Sequence, residues 1–116
     1  NSAALAASIR AGQMGEVTHS DTLADGCAGS VDDDSITLPL GTEVIDALID
    51  CSEDQIADGI RHVAWIEKML VEGSAGLALA AWSADEAQHI GKVSAVILCG
   101  ANFDRDRLAP IIGSTS

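Results

Sequence analysis

The chain has 116 residues and a formal charge of −12 at pH 7, from 18 acidic against 6 basic residues, a balance that repels phosphate backbones and anionic lipid and so argues against nucleic acid or a membrane surface as partner. Its 47% hydrophobic fraction and mean hydropathy of +0.24 are high for a domain this small, and imply a segment that normally packs against more protein. The three cysteines, Cys27, Cys51 and Cys99, are odd in number and form no CxxC pair, which fits neither a disulfide scaffold nor a zinc site and points to a reducing cytoplasm. No apolar stretch approaches the roughly 20 residues that cross a bilayer, and no basic-then-apolar leader opens the sequence.

In chain order, Ala3 to Ala11 reads as a short helix stopped by Gly12. Gln13 to Ser35 is expected to be surface loop with one short helical turn, and the run Asp32, Asp33, Asp34 a solvated loop, since the Gly and Glu that an EF-hand places later are absent. Leu38 to Ile45 is expected to be helical, with Pro39 near its N-terminus, and Ala47 to Cys51 is a short strand candidate. Ser52-Glu53-Asp54-Gln55 carries the pattern of a capping box with two acids in the first turn. Ile56, Ile60, Val63, Ala64 and Leu70 extend that helix to about residue 70 with one buried face. Gly73 and Gly76 are expected to interrupt before a second helix, Leu77 to Trp82, apolar enough to be buried on most sides. Lys92 introduces a strand, Val93 to Leu98, and Phe103 to Ile112 is a last helix with Pro110 close to its end.

The stretch Val93 to Asn102, VSAVILCGAN, is the most informative. A continuous apolar run bounded by Gly is the habit of a strand buried on both faces of a parallel sheet, so the expected fold class is α/β, with buried parallel strands flanked by helices. Ligands of open α/β sheets collect beyond the carboxyl ends of the strands, which makes Cys99 and Asn102 the first candidates for contact with a small molecule. A free cysteine at the end of a buried strand, taken by itself, is more often a small core residue than a ligand contact. Glu72 reads as a helix N-terminal acid or as a pocket residue, and Asp25 as a turn former or a site residue. His19, His62 and His89 lie at unrelated spacings and read as surface or satisfied core residues, and Cys27 and Cys51 as packing residues.

Three segments in order, Thr22-Leu23-Ala24-Asp25-Gly26, Val71-Glu72-Gly73-Ser74-Ala75-Gly76 and Leu98-Cys99-Gly100-Ala101-Asn102, resemble the C-terminal part of the serine/threonine dehydratase family, pyridoxal-phosphate enzymes of fold type II, the tryptophan-synthase β-subunit fold. The resemblance covers nearly the whole chain, with Ile36-Thr37-Leu38-Pro39 and the Ser52 helix start also in register, and its nearest flavour is that of the catabolic threonine dehydratases and the dehydratase of hydroxyectoine utilisation. It implies that Cys99 stands where the family has a Ser or Cys that hydrogen-bonds the pyridine nitrogen of the cofactor. A neutral group there leaves that nitrogen unprotonated and suits β-elimination. By the same resemblance Gly100 and Ala101 keep the turn tight below the ring, Asn102 fixes the loop or reaches a ligand, Glu72 lies near the cofactor pocket, and Asp25 with Gly26 shapes the wall of the site.

The resemblance also implies what the segment lacks: about two-thirds of a full-length enzyme, including the lysine that bonds the cofactor, the loop for the substrate carboxylate and the Gly-rich cradle for the cofactor phosphate. Lys68 and Lys92 are not in the family's lysine context. Ala4 replaces an Asp that ligates a divalent cation in some members, so no metal site is expected. No catalytic residue is assigned within the chain. The leading expectation is a single segment, residues 1–116, forming the C-terminal portion of the large domain of a cytoplasmic, homo-oligomeric ammonia-lyase that converts a β-hydroxy amino acid to a 2-oxo acid and ammonia. Pyridoxal phosphate belongs to the complete enzyme and is not expected on this chain alone. The competing expectation is a free-standing, non-catalytic α/β remnant of such an enzyme that associates with itself to cover strand edges and its apolar helix.

Overall fold

The computed structural model describes residues 1–13, 15, 17–32 and 34–114. Its helices are α1 (Ala4–Ala11), α2 (Thr37–Val44), α3 (Glu53–His62), α4 (Gly73–Ala84), α5 (Glu86–His89) and α6 (Arg105–Gly113), with a 3-10 turn at Asp25–Cys27 and a π-helical turn at Val63–Glu67.

Gly12 stops α1 as expected: it turns left-handed at φ 70°, and two backbone N–H groups return to the carbonyls of Ile9 and Ser8. Pro39 falls in the first turn of α2, where its missing N–H leaves no intrahelical bond unmade. The capping box of α3 is complete, with Gln55 N donating to Ser52 Oγ at 3.2 Å and Ser52 N donating to Gln55 Oε1 at 2.8 Å. Glu53 does more than meet the helix dipole: its Oε2 accepts from Leu23 N at 2.8 Å and ties the preceding loop to the helix start.

Ile56, Ile60 and Val63 form the buried stripe of α3. The helix does not continue to residue 70. Its last turn widens, Lys68 adopts φ 60°, and the N–H groups of Lys68 and Met69 both turn back to Val63 O. Trp65 there reaches α6, donating from Nε1 to Ile112 O at 2.9 Å.

Gly73 and Gly76 do not interrupt α4; they lie inside it. The reason is tertiary: α4 crosses α3 at Gly76, so closely that a Cβ on Gly59 would stand 2.3 Å from Gly76 O, and Gly73 lies against the backbone of Leu23 and Ala24. Close backbone packing overrides their low helix propensity. One core cluster gathers Ala24, Ile56, Ile60 and Leu108, and a second Val63, Val71 and Ala75. The short α5, not anticipated, is held to α4 by stacking of His89 on Trp82 at 6.0 Å. Asp104 caps α6 by accepting from Asp106 N at 2.8 Å, and Pro110 lies in its second half as expected.

The expected strands 47–51 and 93–98 are not formed among the described residues. Val93 is wholly exposed and Ile97 is 74% exposed. A strand is completed by the neighbour that exchanges hydrogen bonds with it, and these runs have none here. Only Leu98 of this segment packs on the second core cluster. The helices of the expected layer are thus present and its ladder is not. The result is a slab, 41 × 37 × 20 Å, with a radius of gyration of 14.8 Å, against about 13 Å for a compact chain of this length. Its accessible surface of 7759 Å² exceeds by roughly 1,800 Å² what a compact protein of this mass exposes.

The acidic loop is exposed at Asp32 and Asp34, while Asp33 lies outside the described residues. His62 and His19 are exposed, the latter hydrogen-bonded to Ser2 Oγ.

Candidate functional site

Three of the five residues singled out by the sequence meet at the N-terminus of α4. Glu72 has extended backbone geometry (φ −75°, ψ 170°), and its carbonyl accepts from Ala75 N and Gly76 N to open the helix. Its carboxylate does not cap the helix. It turns instead to the 99–102 turn, where Oε2 accepts from Asn102 N at 2.9 Å, while Glu72 N donates to Gly100 O at 3.3 Å. Residues 71–72 therefore grip the turn by side chain and backbone together, with Leu98 packed on the second core cluster just before it.

The fit leaves no room for a side chain at Gly100: its φ is +95°, and a Cβ would lie 2.3 Å from Glu72 Cδ. Gly26 closes the other side, since a Cβ there would meet Ser74 Oγ at 2.8 Å and Glu72 Oε1 at 3.2 Å. Ser74 Oγ is buried without a protein partner. Sequence reasoning passed over this hydroxyl, although it lies within the quoted Val71 to Gly76 segment.

Cys99 stands free and exposed at the head of the pinned turn. Asp25 does not join the carboxylate of Glu72. It is exposed and faces Arg107, whose Nη1 is 3.9 Å from its Oδ2, and it lines a crevice of about 30 Å³ with Gly73, Asn102 and Phe103. Arg107 also donates to Thr22 O at 3.1 Å, tying α6 to the Thr22 to Gly26 segment.

A larger cavity of about 370 Å³ opens between α1, residues 48–51 and α3, lined among others by Arg10, Cys27, Asp50, Cys51 and Glu53. Arg10 Nη2 lies 2.8 Å from Asp50 Oδ2. Burial, with the negative charge of Asp50 second, pushes the Cys51 thiol above its ordinary pKa, so Cys51 behaves as a packing residue. Cys27, by contrast, is exposed. Among the described residues no group of three or more His, Cys, Asp and Glu side chains is placed to hold a metal ion.

The turn presents an exposed thiol on a backbone held by Glu72 Oε2 and the Glu72 N–H. Of the two lysines, Lys68 donates from Nζ to Trp65 O, and Lys92 closes a turn with its backbone N–H on His89 O.

Fold and site together define a class. The chain belongs to the pyridoxal-phosphate dependent enzyme family, matching it over residues 1–100. Among its relatives are L-threonine ammonia-lyase of Thermotoga maritima, 30% identical over 97% of this chain and 27% of that protein, and the catabolic L-threonine dehydratase of Escherichia coli, 32% identical over 94% of this chain and 33% of that protein. Similar solved structures are the serine racemases of maize (TM-score 0.78, 28% identity, 92% of this chain and 33% of that one) and Dictyostelium discoideum (TM-score 0.69, 30% identity, 84% and 31%). The resemblance drawn from the three segments holds, and the chain spans about a third of the length of these relatives.

Proposed function

We propose that this chain is the C-terminal portion of the large domain of a pyridoxal-phosphate dependent dehydratase that eliminates water from a β-hydroxy amino acid, giving a 2-oxo acid and ammonia. The observation that carries the reading is the junction of Glu72, Gly100 and Asn102, which holds Cys99 forward on a fixed turn. When bound, the cofactor supplies an electron sink for the substrate's α-carbon. Cys99 would face the ring nitrogen with its thiol, a weak hydrogen-bond partner. Gly100 and Gly26 keep the backbone close, and Asn102 belongs to the loop through its N–H.

Further support comes from the uncovered surface. The roughly 1,800 Å² of excess area includes Val93 and Ile97, the residues that buried parallel strands would cover. In this reading residues 93–98 complete a strand against protein beyond this segment, and the threonine dehydratase relatives make threonine or serine the first substrates to try.

The test is to add pyridoxal phosphate to the purified chain and, separately, to the product of the whole gene, then dialyse and record the visible spectrum. L-Threonine and L-serine are assayed for 2-oxo acid, and L-serine also for its D-enantiomer because of the serine racemase neighbours. A retained band and 2-oxo acid from the gene product, both weakened by Cys99→Ala and restored by Cys99→Ser, support the reading. A gene product that binds no cofactor overturns it in favour of a non-catalytic remnant.

A further inference from the structure

Glu72 offers two incompatible uses of one carboxylate, capping α4 or serving the site, and the geometry separates them. An acid at a helix N-terminus gains by accepting from the first free N–H groups. Glu72 makes no such side-chain bond, although it occupies the N-cap position and has the extended backbone that capping requires. Oε2 is spent on Asn102 N, thirty residues away, and Oε1 faces the backbone at Gly26. Its own N–H is spent on Gly100 O. Two atoms of one residue thus fix Gly100 and Asn102, while Leu98 packs against the second core cluster on the other side.

We infer that Glu72 is the positioning residue of the Cys99 turn: it fixes the direction of the thiol through the backbone of residues 100–102 and makes no bond to the ring itself. This rests on the reading of Cys99 as the partner of the ring nitrogen. It assigns Glu72 a role that neither a dipole acid nor a direct cofactor ligand would have. A dipole acid would leave the Asn102 N–H open to solvent, whereas here Oε2 takes it.

The experiment is amide hydrogen exchange in the full chain, read by NMR with asparagine- and isoleucine-selective labelling, Asn1 being the one other asparagine. Asn102 is exposed, so its N–H exchanges slowly only if the carboxylate holds it. The expected result is protection of Asn102 in the wild type, a roughly tenfold to hundredfold loss in Glu72→Ala as a charge-assisted bond disappears, and most of the protection kept in Glu72→Gln, whose amide oxygen accepts the same N–H. Ile60, in the core of α3, is the folding control. If Glu72→Ala also unfolds Ile60, the wild type and Glu72→Gln decide. An Asn102 amide that exchanges freely in the wild type, or that stays protected in a folded Glu72→Ala, overturns the inference.

In the cofactor-loaded protein, Glu72→Ala should then reproduce the spectral shift of Cys99→Ala. A shift in Cys99→Ala without one in Glu72→Ala refutes the reach of Glu72 to the thiol. No shift in Cys99→Ala itself is the failure of the Cys99 reading, and the grip of Glu72 on the turn is then decided by the exchange data.

Discussion

Replacing Gly59 by Ala tests the α3–α4 crossing on which the site rests. The added Cβ would stand 2.3 Å from Gly76 O and 3.1 Å from Gly76 C, both backbone atoms that no rotamer change can move aside. Ordinary carbon–oxygen contacts begin near 3.3 Å, so the helices must part by roughly 1 Å, a gap that forfeits about a quarter to a half of the dispersion attraction across it. Overpacking of this kind costs about 1–3 kcal/mol, and a backbone-to-backbone clash belongs at the upper end. Alanine returns about 1 kcal/mol of helix propensity. The net loss is about 2 kcal/mol, or roughly 8 °C in melting temperature at about 4 °C per kcal/mol. Gly113→Ala is the control: it lies at the end of α6 with nothing within 4 Å of the added Cβ, so it should be neutral or stabilise by up to about 1 kcal/mol. Thermal unfolding by circular dichroism reads both. If Gly59→Ala melts at or above the wild type, the close crossing is not a feature of the folded protein.

Ser52→Ala removes one half of the capping box and should cost about 1 kcal/mol in urea unfolding, with an unchanged slope. Arg107→Ala removes the link from α6 to Thr22 O and to the exposed Asp21 and Asp25, and should also cost about 1 kcal/mol, most of it from the carbonyl bond, since exposed ion pairs contribute little. Cys51 should react with a thiol reagent more slowly than the exposed Cys27 and Cys99, and Asp50→Asn should speed it only modestly, because burial is the larger cause of its raised pKa. The folded thiol keeps its proton to higher pH than the unfolded one. Its contribution to stability is therefore complete below the ordinary thiol range and is lost as pH rises through the folded value, a loss that Cys51→Ala should abolish in unfolding measured at neutral and alkaline pH.

Features written in adjacent residues were legible in the sequence. The Gly12 stop and the Ser52–Gln55 box depend on residues five or fewer positions apart, and both form as expected. Gly73 and Gly76 differ from the expectation because their local preference is to break a helix, whereas their place is decided by distant backbone: Leu23 and Ala24 come in close against Gly73, and α3 against Gly76. The end of α3 near Glu67 and the short α5 escaped for the same reason: Trp65 is drawn to Ile112 and His89 to Trp82, contacts that apolar spacing does not encode. At the site, Glu72, Gly100 and Asn102 were recognisable as residue types, but the two uses of Glu72 stayed equal until a bond thirty residues long separated them. Asp25, expected on the wall of the site by resemblance, faces Arg107 and lines a crevice with Gly73 and Asn102.

The run from Val93 to Cys99 has one end free and one end held. Its first residues are exposed and unpaired, while Leu98 packs in the core and Gly100 and Asn102 are bound to Glu72. Whatever completes a ladder along residues 93–98 therefore does not have to build the turn that carries Cys99. Holding that turn in advance removes the ordering cost that a ligand would otherwise meet on arrival. It also divides the labour of the segment. In the proposed reading residues 93–97 are completed by further protein, whereas residues 99–102 are already held by Glu72 and can be tested without it.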